Sequence, residues 1–171
     1  MDVMTAIKNR RSIRRFLDKE IPEEAVEALK DSLIWAPSAG NLQSRRFYFV
    51  FNSDIKKQIV DAALHQTFIA QAPLVVVACA DLLIGRHYGK RGAELYCLQD
   101  VACSIENMML AACSLGLASV WVGAFHEDGI ARIMDMSSNL RPVAIVPVGY
   151  PAHSPLPPRR VEKDEAIIEI K

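Results

Sequence analysis

The sequence predicts a single domain that mixes α-helices with β-strands, and two patterns along the chain lead to this interpretation. Apolar residues recur at helical spacing in the segments 22–36 and 93–115, whereas the runs 47–51 and 73–80 are short and rich in β-branched or aromatic residues. The chain has 171 residues and 51% of them are hydrophobic. That length and composition suit one domain, with or without short arms, around a full core.

The first predicted helices begin and end at residues suited to those positions. Residues 2–9 form a short helix that ends at a basic run. Pro22 opens the second helix, whose first turn is acidic, and Pro37 ends it. Ser53 is predicted to cap a third helix.

The longest predicted helix covers residues 93–115 and is followed by Gly116, a residue suited to a helix C-terminus. This helix is apolar on almost every side, which predicts a central position or a place in a subunit interface. A shorter helix is expected at about residues 127–136.

Strands are predicted at 47–51, 73–80, 118–123 and 142–148. The four prolines between 151 and 158 form a linker-like stretch, and the tail beyond them carries the apolar run Ala166–Ile168. We interpret this tail as one more strand, and a terminal strand beyond such an arm must find a sheet edge. Pairing with another subunit is therefore expected.

Five of the eight residues from Lys8 to Arg15 are basic, although the whole chain has a formal net charge of zero. A local cationic cluster on a neutral protein favours a small anion over a nucleic acid, which usually meets a broadly positive face. Arginine forks and the hydroxyl of Ser12 suit a phosphate. The alternative from charge alone is a solvated helix end.

Several classes of protein do not fit the sequence. The strongest apolar stretch, 73–80, is too short to span a bilayer, and the first residues contain no signal-peptide core. The four cysteines match no zinc or disulfide spacing, so a cytoplasmic protein with reduced thiols is expected. No nucleophile–base or metal motif occurs, and the four histidines are scattered. If the chain is an enzyme, a cofactor is expected to carry the chemistry.

Two further segments are compatible with a bound cofactor. The polar loop Pro37–Gln43 offers donors, acceptors and a flexible Gly40. The segment Trp121–Ala124 places a glycine at the end of a predicted strand, where a flat ring can approach the backbone. Taken alone, the first segment is equally typical of an ordinary loop, and the second of a core strand leaving the sheet.

Taken in order, these segments resemble the FMN-dependent nitroreductase family over nearly the whole chain. The motifs that carry the resemblance are Arg10–Phe16, Ala36–Gln43, Ala72–Val77, Gln99–Ala112 and Leu115–Gly123. The resemblance implies an α+β fold, a central and mostly antiparallel sheet flanked by helices. It also implies a homodimer with FMN at the subunit interface. Residues 1–158 would form the flavin domain, and residues 159–171 an arm and strand exchanged with the partner subunit.

The resemblance also implies roles for individual residues. Arg10 and Ser12 would bind the FMN phosphate, with the backbone of Arg11 nearby, and Arg14 would reach the ribityl chain or the N1–C2=O edge. The remaining expected contacts are Pro37, Ser38, Ala39, Asn41 and Gln43 from the second subunit, Trp121, Val122 and Gly123 along the ring, Arg159 and Arg160 at the phosphate, and Gln66 at the pyrimidine edge. The backbone N–H of Gly123 or a neighbour would face N5. No residue is assigned a catalytic role, because the flavin carries the chemistry.

Two departures from the family pattern stand out. Where the family often has Pro-Trp after Gln43, this chain has Ser44 and Arg45. Arg45 is expected either to contact an anion or to be exposed to solvent. The segment Leu82–Gly92, which longer relatives expand into helices over the flavin, is short here. A more open site is therefore expected.

The function implied by the resemblance is an NAD(P)H oxidoreductase with ping-pong kinetics. NADH or NADPH would pass hydride to flavin N5, and a nitroaromatic, quinone or similar small acceptor would then take the electrons. The alternatives are an FMN-binding carrier or sensor without turnover, and a basic-patch protein that binds RNA or an acidic partner. Aromatic residues are not interleaved with the arginines, which argues against RNA as a ligand. Neither a nucleic acid nor a membrane is expected as a partner.

Overall fold

The computed structural model describes residues 1–171 and has a four-stranded sheet at its centre. The strands are β1 (Arg45–Val50), β2 (Leu74–Asp81), β3 (Ala118–Ser119) and β4 (Leu140–Gly149). Their spatial order is β1-β2-β4-β3 and every neighbouring pair is antiparallel. The predicted α+β class with an antiparallel sheet is therefore confirmed.

Eight α-helices surround the sheet, and a π-helical turn at Gly92–Tyr96 leads into the longest of them. They are α1 (Val3–Asn9), α2 (Glu23–Ile34), α3 (Ser53–Ala62), α4 (Phe68–Gln71), α5 (Gly85–Arg91), α6 (Cys97–Ser114), α7 (Glu127–Ile133) and α8 (Lys163–Ala166). None of them combines the length and the apolar character that crossing a bilayer requires.

The central strand β2 separates two apolar layers, because successive side chains of a strand point to opposite faces. Val76 packs with Leu33 and Met108 into the layer formed by α2 and α6. Val77 packs with Ile59 and Ile130 into the layer formed by α3 and α7. Because both faces of β2 are covered, every residue from Leu74 to Ala80 is completely buried, which explains the continuous apolar run in the sequence.

Two helix ends show how well local chemistry predicts boundaries. Gly116 has a φ of +74°, and the N–H of Leu117 donates to the carbonyl of Ala112, so the predicted C-terminus of α6 is confirmed. The predicted cap of α3 is wrong by one residue. Asn52 Oδ1 accepts from the N–H groups of Asp54 and Ile55 at 2.9 and 3.0 Å, and Ser53 is the first helical residue.

The predicted strand 118–123 is interrupted. Only Ala118 and Ser119 pair continuously with β4, and Val122 returns to the sheet through an isolated bridge with Ile145. Because the chain leaves and rejoins the sheet edge here, Trp121 and Gly123 are exposed while Val122 is buried. The segment after β3 is therefore shaped as a short projection from the sheet.

The predicted C-terminal strand is absent from the single chain. Ala166 is the last residue of the one-turn helix α8, and no strand of the same chain pairs with the residues after it. The side chains of Ile168 and Ile170 are 87% and 95% exposed. An isolated apolar tail cannot form a ladder by itself, because a strand needs a neighbour for its backbone hydrogen bonds.

Candidate functional site

The basic segment that follows α1 lies in extended conformation beside β3. The N–H of Ile13 donates to the carbonyl of Ser119 at 3.1 Å, and Ser12 forms a parallel bridge with Ser119. Ile13 is buried, whereas its neighbours Ser12 and Arg14 are exposed, as the alternation of an extended chain requires. The backbone therefore presents the hydroxyl and the guanidinium on the surface next to the strand.

The segment contains four arginines, and three of them, Arg10, Arg11 and Arg14, have different surroundings. Arg11 donates to the carbonyls of Lys8 and Arg10 at 2.5 and 2.8 Å, so its guanidinium is used to complete the end of α1. Arg10 has only a long ion pair, 3.9 Å from the half-exposed Glu106. The guanidinium of Arg14 lies 5.9 Å from the centre of the Phe68 ring. Arg10, Arg14 and the exposed Arg15 are therefore the guanidinium groups of the segment that make no hydrogen bond within the chain.

A cleft of about 200 Å³ opens beside this segment, and its lining includes Arg10, Arg11, Ser119, His153 and Ser154. The hydroxyl of Ser119 is buried and has no hydrogen-bond partner within the chain. A buried hydroxyl without a partner is costly, and an oxygen of a bound anion is one group that can satisfy it. This donor set fits a phosphate, and sequence reasoning missed Ser119, His153 and Ser154 because no motif singles them out.

In the segment Trp121–Gly123, some backbone N–H and C=O groups are paired within the chain and others are free to bind a ligand. The N–H and carbonyl of Val122 both pair with Ile145, at 2.9 and 3.0 Å, and its side chain is in the core. Val122 therefore has no free hydrogen-bonding group, and only van der Waals contact with its backbone is open to a ligand. The N–H of Gly123 is exposed and has no acceptor within the chain, so it can donate to a ring nitrogen.

Gln66 braces the residues that follow Gly123. Its amide nitrogen donates to the carbonyls of Ala63 and Ala124, both at 2.9 Å. Because these donors are used within the chain, only the carbonyl oxygen of Gln66 is free for the predicted contact with a pyrimidine edge.

The loop Pro37–Gln43 is shaped by the buried Asp100 on α6. Asp100 Oδ1 accepts from the N–H of Ala39 at 2.9 Å, and Oδ2 accepts from the hydroxyl of Ser44 at 2.6 Å. Ser38 Oγ accepts from the N–H of Gln43 at 3.0 Å. The two carboxylate oxygens thus hold the loop at Ala39 and at Ser44, and no sequence motif assigns Asp100 this role.

The backbone of this loop turns through three left-handed residues. Gly40, Asn41 and Gln43 have φ values of +56°, +56° and +51°. Such turns leave peptide groups and the side chains of Asn41 and Gln43 on the outside, where both residues are exposed. The loop is therefore a rigid rim with polar groups directed outward.

Both expectations for Arg45 are wrong. Its side chain is buried, and the guanidinium donates to the carbonyls of Ile34, Ala36 and Pro37 at 2.9, 2.8 and 3.0 Å. These carbonyls lie at the C-terminal end of α2 and just after it and have no helical partner, so a planar fork with several donors is suited to satisfy them. Burial lowers the pKa of Arg45, and the charge of Asp100 opposes that shift. Ser44 and Arg45 thus support the loop Pro37–Gln43 through hydrogen bonds in the protein interior.

The short cover α5 lies against the same loop. The hydroxyl of Tyr88 occupies the space into which a Cβ at Gly40 would project. The ring of Tyr88 meets that of Tyr96 edge-on, with the centres 5.4 Å apart. Gly40 is therefore required for the close approach of α5 as well as for the turn.

The predicted site residues form two groups within one chain. Ser119 links the basic segment to the strand that leads to Trp121, whereas the loop 37–43 is held by the first half of α6. No hydrogen bond or ion pair joins the two groups. Arg159 and Arg160 lie exposed in the arm, and neither forms an ion pair within the chain.

The remaining chemistry-bearing side chains do not form a second centre. No group of three or more histidine, cysteine or acidic side chains is close enough to hold a metal ion. All four cysteines are free, and burial raises the pKa of Cys79 to about 12.

Comparison with known proteins gives three consistent likenesses. A protein of Methanothermobacter thermautotrophicus, provisionally named as an NADH dehydrogenase/NAD(P)H nitroreductase, is 33% identical over 159 residues, which is 91% of this chain and 80% of that protein. The FMN reductase [NAD(P)H] of Bacillus subtilis is 27% identical and covers 88% of this chain and 66% of its own. The structure of the Vibrio harveyi NADPH:FMN oxidoreductase with NAD+ superimposes with a TM-score of 0.91 at 21% identity, over 99% of this chain and 77% of that one.

The sequence model of the nitroreductase family matches residues 7–81 and 61–150, which together span every predicted motif before the arm. The four-stranded antiparallel sheet and the segment order agree with that match. The chain belongs to the nitroreductase family.

Proposed function

We propose that this chain is an FMN-dependent NAD(P)H oxidoreductase of the nitroreductase type. The observation that carries the proposal is the anchoring of the basic segment to β3 through Ser12 and Ile13, because the chain after β3 leads to the exposed turn at Gly123. The chemistry that FMN supplies when bound is hydride uptake from NADH or NADPH and electron transfer to a nitroaromatic, quinone or similar acceptor. The protein contributes binding, orientation and electrostatics.

Arg10 and the Ser12 hydroxyl would hold the phosphate of FMN, and Arg159 and Arg160 would close over it. The phosphate carries nearly two negative charges, which is a good match for several guanidinium groups. Arg14 would lie along the ribityl chain or the N1–C2=O edge. Positive charge there favours the negative charge that develops on the reduced ring.

Gly123 would present its unpaired N–H to N5, with Trp121 and the backbone of Val122 along the ring. The backbone fixes the direction of this N–H, so a hydrogen bond from it would orient N5, the reacting atom. Pro37, Ser38, Ala39, Asn41 and Gln43 would reach the ring and ribityl chain from the second subunit. This division accounts for two groups of site residues that do not meet within one chain.

A homodimer is part of the proposal, and exposed apolar residues support it. Val3 and Met4 on α1 and Trp35 after α2 are 70%, 58% and 84% exposed. Val3 and Trp35 adjoin Leu110 and Ala111 of α6 along one cleft. An apolar surface of this kind on a water-soluble domain normally marks an interface, and a second copy would cover it.

The tail 159–171 would complete the partner's sheet beside β1. The strand β1 is an edge of the sheet, and a groove of about 620 Å³ between it and α2 is lined by Leu33, Phe47 and Phe49 together with Lys30 and Arg46. The tail offers alternating apolar and acidic residues, such as Ile168, Glu169 and Ile170. Apolar contact and opposite charge therefore both favour this pairing.

The first test is an absorbance spectrum of the purified protein before and after anaerobic addition of NADH or NADPH. Flavin bands at about 370 and 450 nm that bleach with either donor are the expected result. A yellow protein that neither donor bleaches would favour a carrier or sensor. A colourless protein that does not take up FMN would overturn the proposal.

The dimer is tested by light scattering on the full chain and on a variant that ends at Pro158. The full chain is expected to have twice the monomer mass. The shortened variant is expected to bind FMN more weakly, because it lacks Arg159, Arg160 and the tail. Unchanged FMN affinity in that variant would refute a role for the arm.

A further inference from the structure

The cover α5 carries the second dense basic cluster of the chain. The segment 82–93 contains Arg86, His87, Lys90 and Arg91 and no carboxylate, and all four side chains are exposed. We call these four residues the cover patch. On a chain with zero net charge, such a patch produces a local positive potential around α5 and the loop that it contacts.

The cover patch lies at the rim of the loop Pro37–Gln43. Tyr88, in the middle of the patch sequence, places its hydroxyl against Gly40, and its ring packs on Tyr96. The contact with Gly40 places α5 against the loop, and the contact with Tyr96 holds the Tyr88 ring in that position. If the loop lines the flavin, the patch stands just outside the ring.

Arg86 and His87 are the members of the patch without a partner in the chain, and Arg86 has the larger set of donors. Arg91 donates to Tyr96 Oη at 3.1 Å and lies over the same ring at 5.5 Å. Lys90 lies 3.7 Å from Glu94. Arg86 has no hydrogen-bond or ion-pair partner within the chain, so all five of its donors are available.

We propose that the cover patch binds the 2′-phosphate that distinguishes NADPH from NADH, with Arg86 as the principal contact, so that NADPH is the preferred donor. The inference rests on the proposed function, because it requires the nicotinamide to lie on FMN. The rest of the dinucleotide must then extend past the rim of the ring. A phosphate with nearly two negative charges gains a bidentate fork there, whereas the 2′-hydroxyl of NADH gains little.

The test compares Arg86→Gln with Arg132→Gln, which removes one exposed positive charge from α7. Arg86→Gln is expected to lower kcat/KM for NADPH about tenfold and that for NADH less than about twofold. Arg132→Gln is expected to change neither by more than about twofold. A second readout is independent of turnover: calorimetric titration of FMN-loaded protein with adenosine 2′,5′-bisphosphate and with 5′-AMP.

The native protein is expected to bind the bisphosphate about tenfold more tightly than 5′-AMP, and Arg86→Gln to abolish the difference. Equal losses for both donors in Arg86→Gln, no loss for either, or equal affinities for the two adenosine phosphates would overturn the inference. Failure of the proposed function has another signature, since neither donor would then reduce bound FMN. Circular dichroism and bound flavin establish that each variant is folded.

Discussion

Asp100 and Ser44 are joined by a buried hydrogen bond of 2.6 Å, while the other oxygen of the same carboxylate holds the N–H of Ala39. One side chain on α6 thus fastens both ends of the loop that is proposed to line the flavin. A fastened loop loses little further entropy when a ligand binds, so under the proposed function the pair would contribute to FMN affinity as well as to folding.

Replacement of Asp100 by asparagine is expected to weaken FMN binding. The amide has one acceptor oxygen instead of two and no charge, so the Ser44 hydroxyl and the Ala39 N–H can no longer each donate to a carboxylate oxygen. We expect a decrease of about 1–3 kcal/mol in the free energy of unfolding and a higher dissociation constant for FMN. Urea denaturation and quenching of flavin fluorescence measure the two effects.

The matched control is Ser44→Ala, which removes one partner but leaves the contact with Ala39. Its effect on both quantities should be smaller than that of Asp100→Asn, and the double variant should lose less than the sum of the two. Additive losses would mean that the two side chains act independently.

Arg45→Met is expected to destabilise the fold because it leaves three carbonyls at and just beyond the end of α2, those of Ile34, Ala36 and Pro37, without donors. The expected loss is about 1.5–3 kcal/mol of unfolding free energy, the range for hydrogen bonds to a charged group. Arg46→Met is the control, since Arg46 is exposed on the same strand. Comparable stability of the two variants would contradict the structural role given to Arg45.

Sequence patterns predicted most of the fold because the core follows local rules. The alternation of Val76 and Val77 between two layers and the termination of α6 at Gly116 both depend on residues close together in sequence. The strand after Ser119 was predicted too long. Its exit from the sheet depends on where β4 can pair with it, which is a tertiary property.

The candidate site was only partly predictable, and Asp100 and Arg45 show why. Charged residues are usually solvent-exposed, so neither offered a signal for burial. Their roles depend on partners 56 and 9 to 11 positions away, Ser44 for Asp100 and the carbonyls of Ala36 and Ile34 for Arg45. The basic segment was easier, because its charge density is visible in the sequence alone.

The ion pair between Glu127 and Arg141 predicts a pH dependence of stability. Arg141 donates to both carboxylate oxygens at 2.9 Å, and this hydrogen bonding lowers the pKa of Glu127 below its usual 4.5. A carboxylate with a lowered folded-state pKa stabilises the protein above its unfolded pKa and loses that effect as the pH falls through the folded value.

The difference in unfolding free energy between the native protein and Glu127→Gln should therefore be largest above pH 4.5 and shrink at lower pH. Urea denaturation at several pH values measures it. Both side chains are nearly half exposed, so the difference should also fall in high salt. A difference that is constant with pH would rule out a contribution from the ion pair.

Gly40→Ala tests whether the contact between α5 and the loop Pro37–Gln43 matters for stability and FMN binding. The new Cβ meets the Tyr88 hydroxyl, and the φ of +56° is itself unfavourable for alanine by about 1–2 kcal/mol. Gly116→Ala is the control for backbone strain alone, because Gly116 has a φ of +74° and open space around it. We expect Gly40→Ala to be the less stable variant and the only one with weaker FMN binding.

Adding Tyr88→Phe to Gly40→Ala removes the hydroxyl that the new methyl group meets. The double variant should recover the part of the loss caused by the clash and retain the part caused by the backbone angle. Its stability is then expected to approach that of Gly116→Ala. If Tyr88→Phe restores neither stability nor FMN affinity, the effect of Gly40→Ala comes from the turn alone, and the close packing of α5 on the loop is not what positions the site.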